Sequence, residues 1–329
     1  MSYSLIPTAD YKAACDAIRA TMGMTDLIKS GDMASLISAV RRLSYLTFSS
    51  AEPFTIATNN ATKNWDGTLY YSTDTETWSE WDGTTAIASA EHEGEQRIYM
   101  RGRNNSVITG TGTSAFDNTV RWVLEGSNIR CDGNIENLLD YVIVAKGEHP
   151  RMGDYYCYAF MFYQCDSLVS APELPAIDLT ASCYVGMFRG CYNLANAPEL
   201  PATNLAESCY NGMFWTCKSI ANAPKLPATT LAGACYADMF YGCTSLITAP
   251  ELPATTLAYR CYNRMFQGCK SIKISETQSD EYPNEYRIPT SGTGTTATDA
   301  LTDMFTNTGG TFTGTPEINT TYYTSNALV

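Results

Sequence analysis

The most constraining feature of this sequence is a 26-residue segment that occurs five times in succession. The copies begin CYAFMFYQCDSL, CYVGMFRGCYNL, CYNGMFWTCKSI, CYADMFYGCTSL and CYNRMFQGCKSI, and their first cysteines are Cys157, Cys183, Cys209, Cys235 and Cys261. A fixed period of this length indicates stacked supersecondary units, none of which can bury its apolar face alone. The sequence therefore predicts a solenoid.

Each copy has a common apolar pattern. Five positions are apolar or thiol in every copy, and in the first copy they are Cys157, Met161, Phe162, Cys165 and Leu168. The steps from Cys157 to Met161, to Cys165 and to Leu168 are four, four and three residues, which predicts that these side chains share one face of a short helix. Residues 168–172 are expected to be extended, because Pro172 disfavours helix before it, and Pro172 and Pro175 then turn the chain. Helix, short strand and proline turn within this length predict a leucine-rich-repeat coil with these columns as its core.

The run MF-x-GC-x-SL, followed by APELPA, resembles the BspA-type leucine-rich repeats of bacterial surface proteins and of phages of gut Bacteroidota. The resemblance implies a binding scaffold without attached chemistry.

Length and charge limit the classes of function. A chain of 329 residues is long enough for two or three domains. Its 21 Lys and Arg against 34 Asp and Glu give a formal charge of −13, which disfavours nucleic acid and anionic membranes as partners. The start lacks a signal-peptide pattern, and no run approaches the roughly 20 apolar residues of a membrane helix. We therefore expect a virion protein that is made in the host bacterial cytoplasm and released by lysis.

Ten of the twelve cysteines fall in two columns of the repeat. Disulfides along a column are not forbidden by distance, but a reducing cytoplasm favours thiols that act as small buried hydrophobes. The seven-residue gap between the two columns does not fit a zinc site. No metal site and no cofactor are predicted.

Residues 1–45 are expected to form a helical hairpin. Apolar residues recur at helical spacing in both halves, among them Tyr11, Ile18, Met33 and Ile37. One interpretation is a hairpin packed on the next domain. The other comes from the stretch DYKAACDAIRATMGMTDLIKSGDMASLISAV, which resembles an N-terminal module of phage tail and adhesion proteins. This resemblance implies that the four residues anchor the chain to other virion proteins, and homo-oligomerisation remains open.

Residues 46–127 contain short β-type runs at 54–56, 69–71, 77–81, 97–100 and 120–124. The Asp-Gly pairs at 66–67 and 82–83 are typical of tight turns. This pattern predicts a small antiparallel β-sandwich.

Residues 128–329 are expected to form the solenoid, with full repeats from 157 to about 272. Residues 128–156 are predicted to be a degenerate first coil, because Cys131 stands one period before Cys157. Residues 299–329 are predicted to be the last, with Ala300 at the first cysteine position and Met304-Phe305 restoring the Met-Phe pair. The order of residues 274–298 is left open.

An acidic cluster is the strongest catalytic candidate. Glu91, His92, Glu93 and Glu95 lie together, and paired carboxylates can hydrolyse glycosides. A solvated loop is the simpler interpretation, and motifs for a nucleophile elbow, a phosphate loop or paired metal ligands are absent. No catalytic residue is predicted, and the chain is expected not to be an enzyme.

Binding is better supported, because some positions vary among copies while the core columns do not. The position after Met-Phe is occupied in turn by Tyr163, Arg189, Trp215, Tyr241 and Gln267. A solenoid would align these residues in one row, and exposed aromatic and arginine side chains are frequent in binding hot spots. Free drift of surface positions is the alternative. We refer to these five residues as the binding row.

Together these segments predict an α+β multidomain chain with a helical hairpin, a β-sandwich and a leucine-rich-repeat solenoid. The expected function is that of a tailed-phage virion structural or adhesion protein, of tail-fibre or head-fibre type, that attaches to a host surface protein or glycan through the solenoid. The alternative is a BspA-like bacterial surface adhesin or protein-interaction scaffold, and a glycan-active enzyme is a weaker third choice.

Overall fold

The computed structural model describes residues 44–110 and 120–329. Within these residues the chain is 24% strand and 3% helix, with a single helix, in several small sheets. The predicted fold class, an α+β chain with a leucine-rich-repeat solenoid, is therefore wrong. The predicted helical hairpin and its residues Tyr11, Ile18, Met33 and Ile37 lie outside the described residues.

Fourteen strands are present in the described part of the chain. Those of the first half are β1 Leu46–Ser50, β2 Thr55–Thr58, β3 Thr68–Ser72, β4 Ser79–Trp81, β5 Ile87–Ala88, β6 Ala90–His92, β7 Glu95–Arg103, β8 Trp122–Glu125 and β9 Ile129–Asp132. The later strands are β10 Leu168–Ser170, β11 Lys273–Ser275, β12 Asn284–Arg287, β13 Gly309–Gly310 and β14 Thr321–Thr324. They form a seven-stranded sheet in the order β10-β9-β1-β7-β3-β4 with β6 on β7, a sheet β12-β14-β11-β13, and a sheet β5-β2-β8.

Residues 46–127 contain a strand at or next to each of the five β-type runs predicted from the sequence, and β1 in addition. Strand β1 pairs antiparallel with both β7 and β9 and contributes the fully buried Phe48. The large sheet and the β5-β2-β8 sheet meet through aromatic rings, because the Trp122 ring lies 6.1 Å from that of Phe48 and 5.4 Å from that of Trp81. Apolar burial at this contact joins the two sheets into one core.

The helix, α1 (Asn137–Val144), contains a kink at Asp140, whose φ of −154° is not helical. The Asp140 carboxylate accepts hydrogen bonds from Arg103 Nη1 at 3.0 Å and from the backbone N–H of Asn104 at 3.1 Å. A side chain at Gly102 would overlap the backbone of Leu138, so this glycine lets the helix approach β7 closely.

The repeated units contain four-residue turns in place of the predicted helix. In the first unit Tyr156, Phe160 and Gln164 have φ values of 55°, 53° and 58°, and the equivalent positions of the later units are also left-handed. A left-handed residue at every fourth position interrupts an α-helix. The N–H of Met161 then bonds the Tyr158 carbonyl three residues back, whereas the N–H of Phe162 bonds the Met187 carbonyl of the next unit at 2.9 Å.

Successive units lie one above another with their rings in register. The predicted columns are buried, and Phe162 and Phe188 stack at 5.6 Å between ring centroids. The tyrosine after the first cysteine forms a second buried column, because Tyr158 and Tyr184 stack at 5.5 Å and 6° from parallel. This tyrosine column was not among the predicted core positions.

The cysteine columns are also buried, as the sequence predicts, and the eleven described cysteines are free thiols. In the second column the thiol donates to the phenylalanine carbonyl of the preceding unit, with Cys191 Sγ 2.9 Å from Phe162 O and Cys217 Sγ 3.0 Å from Phe188 O. Burial raises the pKa of Cys269 to about 12, so this thiol stays protonated at neutral pH.

The strand predicted for the second half of the unit does not recur from unit to unit. Only the first unit has one, β10, and it pairs parallel with β9 rather than with the next unit. Later units meet at single parallel bridges, such as Asn204 with Thr230 and Thr230 with Thr256. The prolines of the APELPA segment lack an N–H group, which explains why no continuous ladder forms there.

Both ends of the stack are covered by segments that resemble a unit. At the first end the backbone N–H groups of Ile108 and Trp122 donate to Cys157 O and Met161 O. Cys131, which was predicted one period before Cys157, lies beside Ser170 instead. At the other end Tyr262 donates to Ala300 O, and Phe305 stacks on Phe266 at 5.7 Å. Strands β11 to β14 follow this end, and residues 274–298 contribute β12 to them.

Among the described residues, no helix combines the length and the apolar character needed to cross a bilayer.

Candidate binding surface

All five members of the binding row are half-buried, and the turns that carry them are superimposed from unit to unit. Each row residue follows a buried phenylalanine and precedes the third left-handed position of its unit. Backbone bonds between units, such as Gly190 N–H to Trp215 O at 2.8 Å, fix the register of the row. The row side chains therefore lie one unit apart along one face of the stack.

Four members of the row form a continuous series of side-chain contacts. The Arg189 guanidinium lies 4.1 Å from the centre of the Trp215 ring and 6.0 Å from that of Tyr163. The Trp215 and Tyr241 rings are 4.4 Å apart and tilted by 31°. Each cation–π contact of this kind contributes about 0.5–1 kcal/mol at an exposed site, so the row side chains hold one another in place.

Arg264 extends the series beside Tyr241, although it belongs to the position before the methionine rather than to the row. Its guanidinium lies 5.9 Å from the Trp215 ring and 5.9 Å from the Tyr241 ring, and its Nη2 bonds Asp238 Oδ2 at 2.8 Å. Asp238 is 6% exposed. Burial raises the pKa of Asp238, and the opposite effect of Arg264 is smaller.

Three buried polar atoms beside Tyr241 have no hydrogen-bond partner within the described residues: Asp238 Oδ1, Arg264 Nε and Gln267 Oε1. Unpaired buried polar atoms cost roughly 1–3 kcal/mol each, so native proteins keep few of them. Gln267 thus differs from the other row members, since it contributes neither an aromatic ring nor a charge.

The first end of the row is continued by Arg121, which the repeat pattern does not reveal. Its guanidinium lies 4.9 Å from the centre of the Tyr163 ring. Arg121 precedes Trp122, which occupies the phenylalanine position of the covering segment, so Arg121 stands two places before the row position of that segment. Arg121 could not be predicted from the repeat, because this segment lacks both cysteines. For Arg264 the available signal was its opposite charge to Asp238, one period earlier in the sequence.

The position after the second cysteine gives a separate exposed column. It consists of Asp166, Tyr192, Lys218, Thr244 and Lys270, all exposed. Lys218 Nζ lies 4.5 Å from the Tyr192 ring, and the other members of the column contain no aromatic ring. Contacts between rings and cations are therefore more extensive along the binding row.

The acidic cluster at 91–95 belongs to the β6–β7 hairpin and is engaged in local contacts. Arg97 Nη1 bonds Glu93 at 2.5 Å, Arg130 Nη2 bonds Glu95 at 2.5 Å, and His92 Nδ1 lies 2.6 Å from the Tyr99 hydroxyl. Hydrogen bonding to Arg130 lowers the pKa of Glu95, which favours an ion pair over a proton donor. Across residues 44–110 and 120–329, no group of three or more potential metal ligands occurs.

Comparison with known proteins does not assign the chain to a family, because no family model, no curated protein and no solved structure matches it.

Proposed function

We propose that this chain is a non-enzymatic adhesion protein of a tailed-phage virion, which binds a host surface protein or glycan through the binding row. The observation that carries the proposal is the series of contacts from Tyr163 through Arg189 and Trp215 to Tyr241, with unpaired buried polar atoms next to it. Tryptophan, tyrosine and arginine are the residues most enriched in binding hot spots.

The mutual contacts also favour binding over drift. Aromatic and cationic side chains that already pack on one another lose less conformational freedom when a partner binds. Random substitution at free surface positions would not by itself place a guanidinium between two rings, as Arg189 is placed between Tyr163 and Trp215.

The virion part of the proposal is supported by the sequence resemblances alone. The N-terminal stretch resembles a module of phage tail and adhesion proteins, and the repeats resemble those of proteins from phages of gut Bacteroidota. On this proposal the N-terminal segment contacts other virion proteins. Antibody labelling of purified phage particles tests it, and particles without label would contradict it.

The binding part is tested with the full chain and cells of the host strain. Replacing Trp215 and Tyr241 together by alanine should reduce binding to cells, measured by flow cytometry, by at least about 100-fold. The double variant should also lose roughly 1–3 kcal/mol of stability, because both rings are half-buried, so binding is measured well below its Tm. Tyr192→Ala is the matched control, since it removes a ring that contacts a lysine in the separate exposed column after the second cysteine. Unchanged binding by the double variant would exclude the row.

A further inference from the structure

A cavity of about 630 Å³, wide open to solvent, lies beside the first unit, and none of the binding-row residues lines it. It lies between the turn at 65–67, the segment that covers the first unit, and residues 153–155. Its lining includes Lys63, Asn64, Trp65, Asp66, Ser106 and Tyr155. This volume is in the range of small-molecule sites.

Hydrogen bonds hold one wall of the cavity in place. Asp66 Oδ1 accepts from the N–H groups of Ser106 at 2.8 Å and Val107 at 3.2 Å, and Asp66 Oδ2 accepts from Ser106 Oγ at 2.6 Å. Asn64 Nδ2 donates to Thr109 O at 2.5 Å. The wall is therefore formed before any ligand arrives.

The charges of the lining are already compensated. Lys63 Nζ donates to Gly67 O at 2.6 Å, and Asp154 pairs with Arg151 at 3.2 Å. Both oxygens of Asp66 are occupied as described. An anionic ligand would face the carboxylates of Asp66 and Asp154. A cationic ligand would face Lys63, and both carboxylates already have partners. The electrostatics favour a neutral ligand.

Two aromatic residues supply the remaining features of a site. Tyr155 is 55% exposed, so its ring offers an apolar face to a ligand. Trp65 is 3% exposed, and its Nε1 has no hydrogen-bond acceptor within the described residues. The ring of Trp65 stacks on Trp81 at 5.1 Å, which fixes its orientation.

We propose that this cavity binds a neutral saccharide, which packs one face on the Tyr155 ring and accepts a hydrogen bond from Trp65 Nε1. Sugars present both C–H faces and hydroxyl groups, and aromatic rings combined with a few polar groups recognise such amphipathic ligands. The site is separate from the binding row and does not depend on it.

The test uses the full chain and ligand-observed NMR with maltose, lactose, cellobiose and N,N′-diacetylchitobiose, together with digalacturonic acid and a chitosan dimer as charged probes. We expect at least one neutral disaccharide to bind and the charged probes to bind more weakly. Tyr155→Ala should weaken that binding about 10-fold. Trp65→Phe, which keeps an aromatic ring and removes the donor, should weaken it about 5-fold.

Tyr259→Ala is the matched control, because Tyr259 is 50% exposed and lies outside this cavity. It should bind the disaccharide as the unaltered chain does, and so should the Trp215 and Tyr241 double variant. The proposal is overturned if no neutral disaccharide binds at about 10 mM. It is equally overturned if a charged probe binds better, or if Tyr155→Ala and Trp65→Phe, with unaltered chemical-shift dispersion, bind as tightly as the unaltered chain.

Discussion

The rings of Phe188 and Phe214, one repeat apart, stack 5.8 Å from each other and 3° from parallel. Phe214 stacks on Phe240 in the same way at 5.5 Å, and all three side chains are fully buried. The phenylalanine column is therefore continuous packing between units, and each ring depends on the ring above and the ring below.

Phe214→Ala should lower the free energy of unfolding by roughly 3–5 kcal/mol, because it removes a buried ring and leaves a cavity between two others. Urea denaturation followed by far-UV circular dichroism measures the change. Tyr259→Ala is the control, and it should change stability by less than about 0.5 kcal/mol because Tyr259 is half exposed. A loss below about 1 kcal/mol for Phe214→Ala would mean that the column does not bear on stability.

The two cysteine columns should differ in their contribution to stability. Cys217 and Cys209 are both fully buried, but the Cys217 thiol donates to Phe188 O at 3.0 Å, whereas among the described residues the Cys209 thiol donates to no carbonyl. Cys217→Ala should therefore cost about 0.5–1 kcal/mol more than Cys209→Ala. Equal losses in thermal and urea denaturation would show that the thiol bond contributes nothing.

The left-handed positions give a stabilising substitution. Thr216 has a φ of 58°, and the equivalent positions of three other units are glycines, Gly190, Gly242 and Gly268. A β-branched residue in this conformation is strained by about 1–2 kcal/mol, and glycine recovers part of that despite its greater freedom when unfolded. Thr216→Gly should raise the free energy of unfolding by about 0.5–1 kcal/mol. Thr216→Ala keeps the strain, so a gain of the same size there would contradict this explanation.

These glycines also show how much could be predicted from the sequence. The buried columns were identified correctly, because apolar recurrence reports burial whatever the backbone conformation is. The prediction of a helix in each repeat was wrong, because steps of four residues fit a helical face and a series of four-residue turns equally well. Gly186 and Gly190 were the distinguishing signal, since two glycines within so short a segment disfavour a helix. The buried tyrosine column was missed for the same reason, because the residue after Cys157 would leave the core face of a helix.

The position of the binding row could be predicted from the variation among units, but its contacts could not. Whether Arg189 meets Trp215 depends on the separation and register of the units, which follow from the backbone bonds between them. The cavity beside Tyr155 was not foreseen at all, because its walls come from segments that are distant in sequence and outside the repeat.

Asp66 should make the stability of the chain depend on pH. Burial by itself would raise the pKa of Asp66, but the hydrogen bonds from the Ser106 hydroxyl and from the backbone N–H groups of Ser106 and Val107 outweigh it and hold the pKa below the ordinary value of 3.8. For a carboxylate with a lowered pKa in the folded state, the stabilisation is complete above 3.8 and is lost as the pH falls through the folded-state pKa.

Asp66→Asn should therefore flatten the decline of the free energy of unfolding between about pH 5 and pH 2, measured by urea denaturation at each pH. Part of the decline should remain, because backbone hydrogen bonds from Thr77 and Thr84 also lower the pKa values of Asp74 and Asp82. The bonds of Asp66 join the turn at 65–67 to the segment that covers the first unit, so their loss should also loosen one wall of the cavity. If the variant and the unaltered chain decline in parallel, Asp66 does not stabilise this junction through its charge.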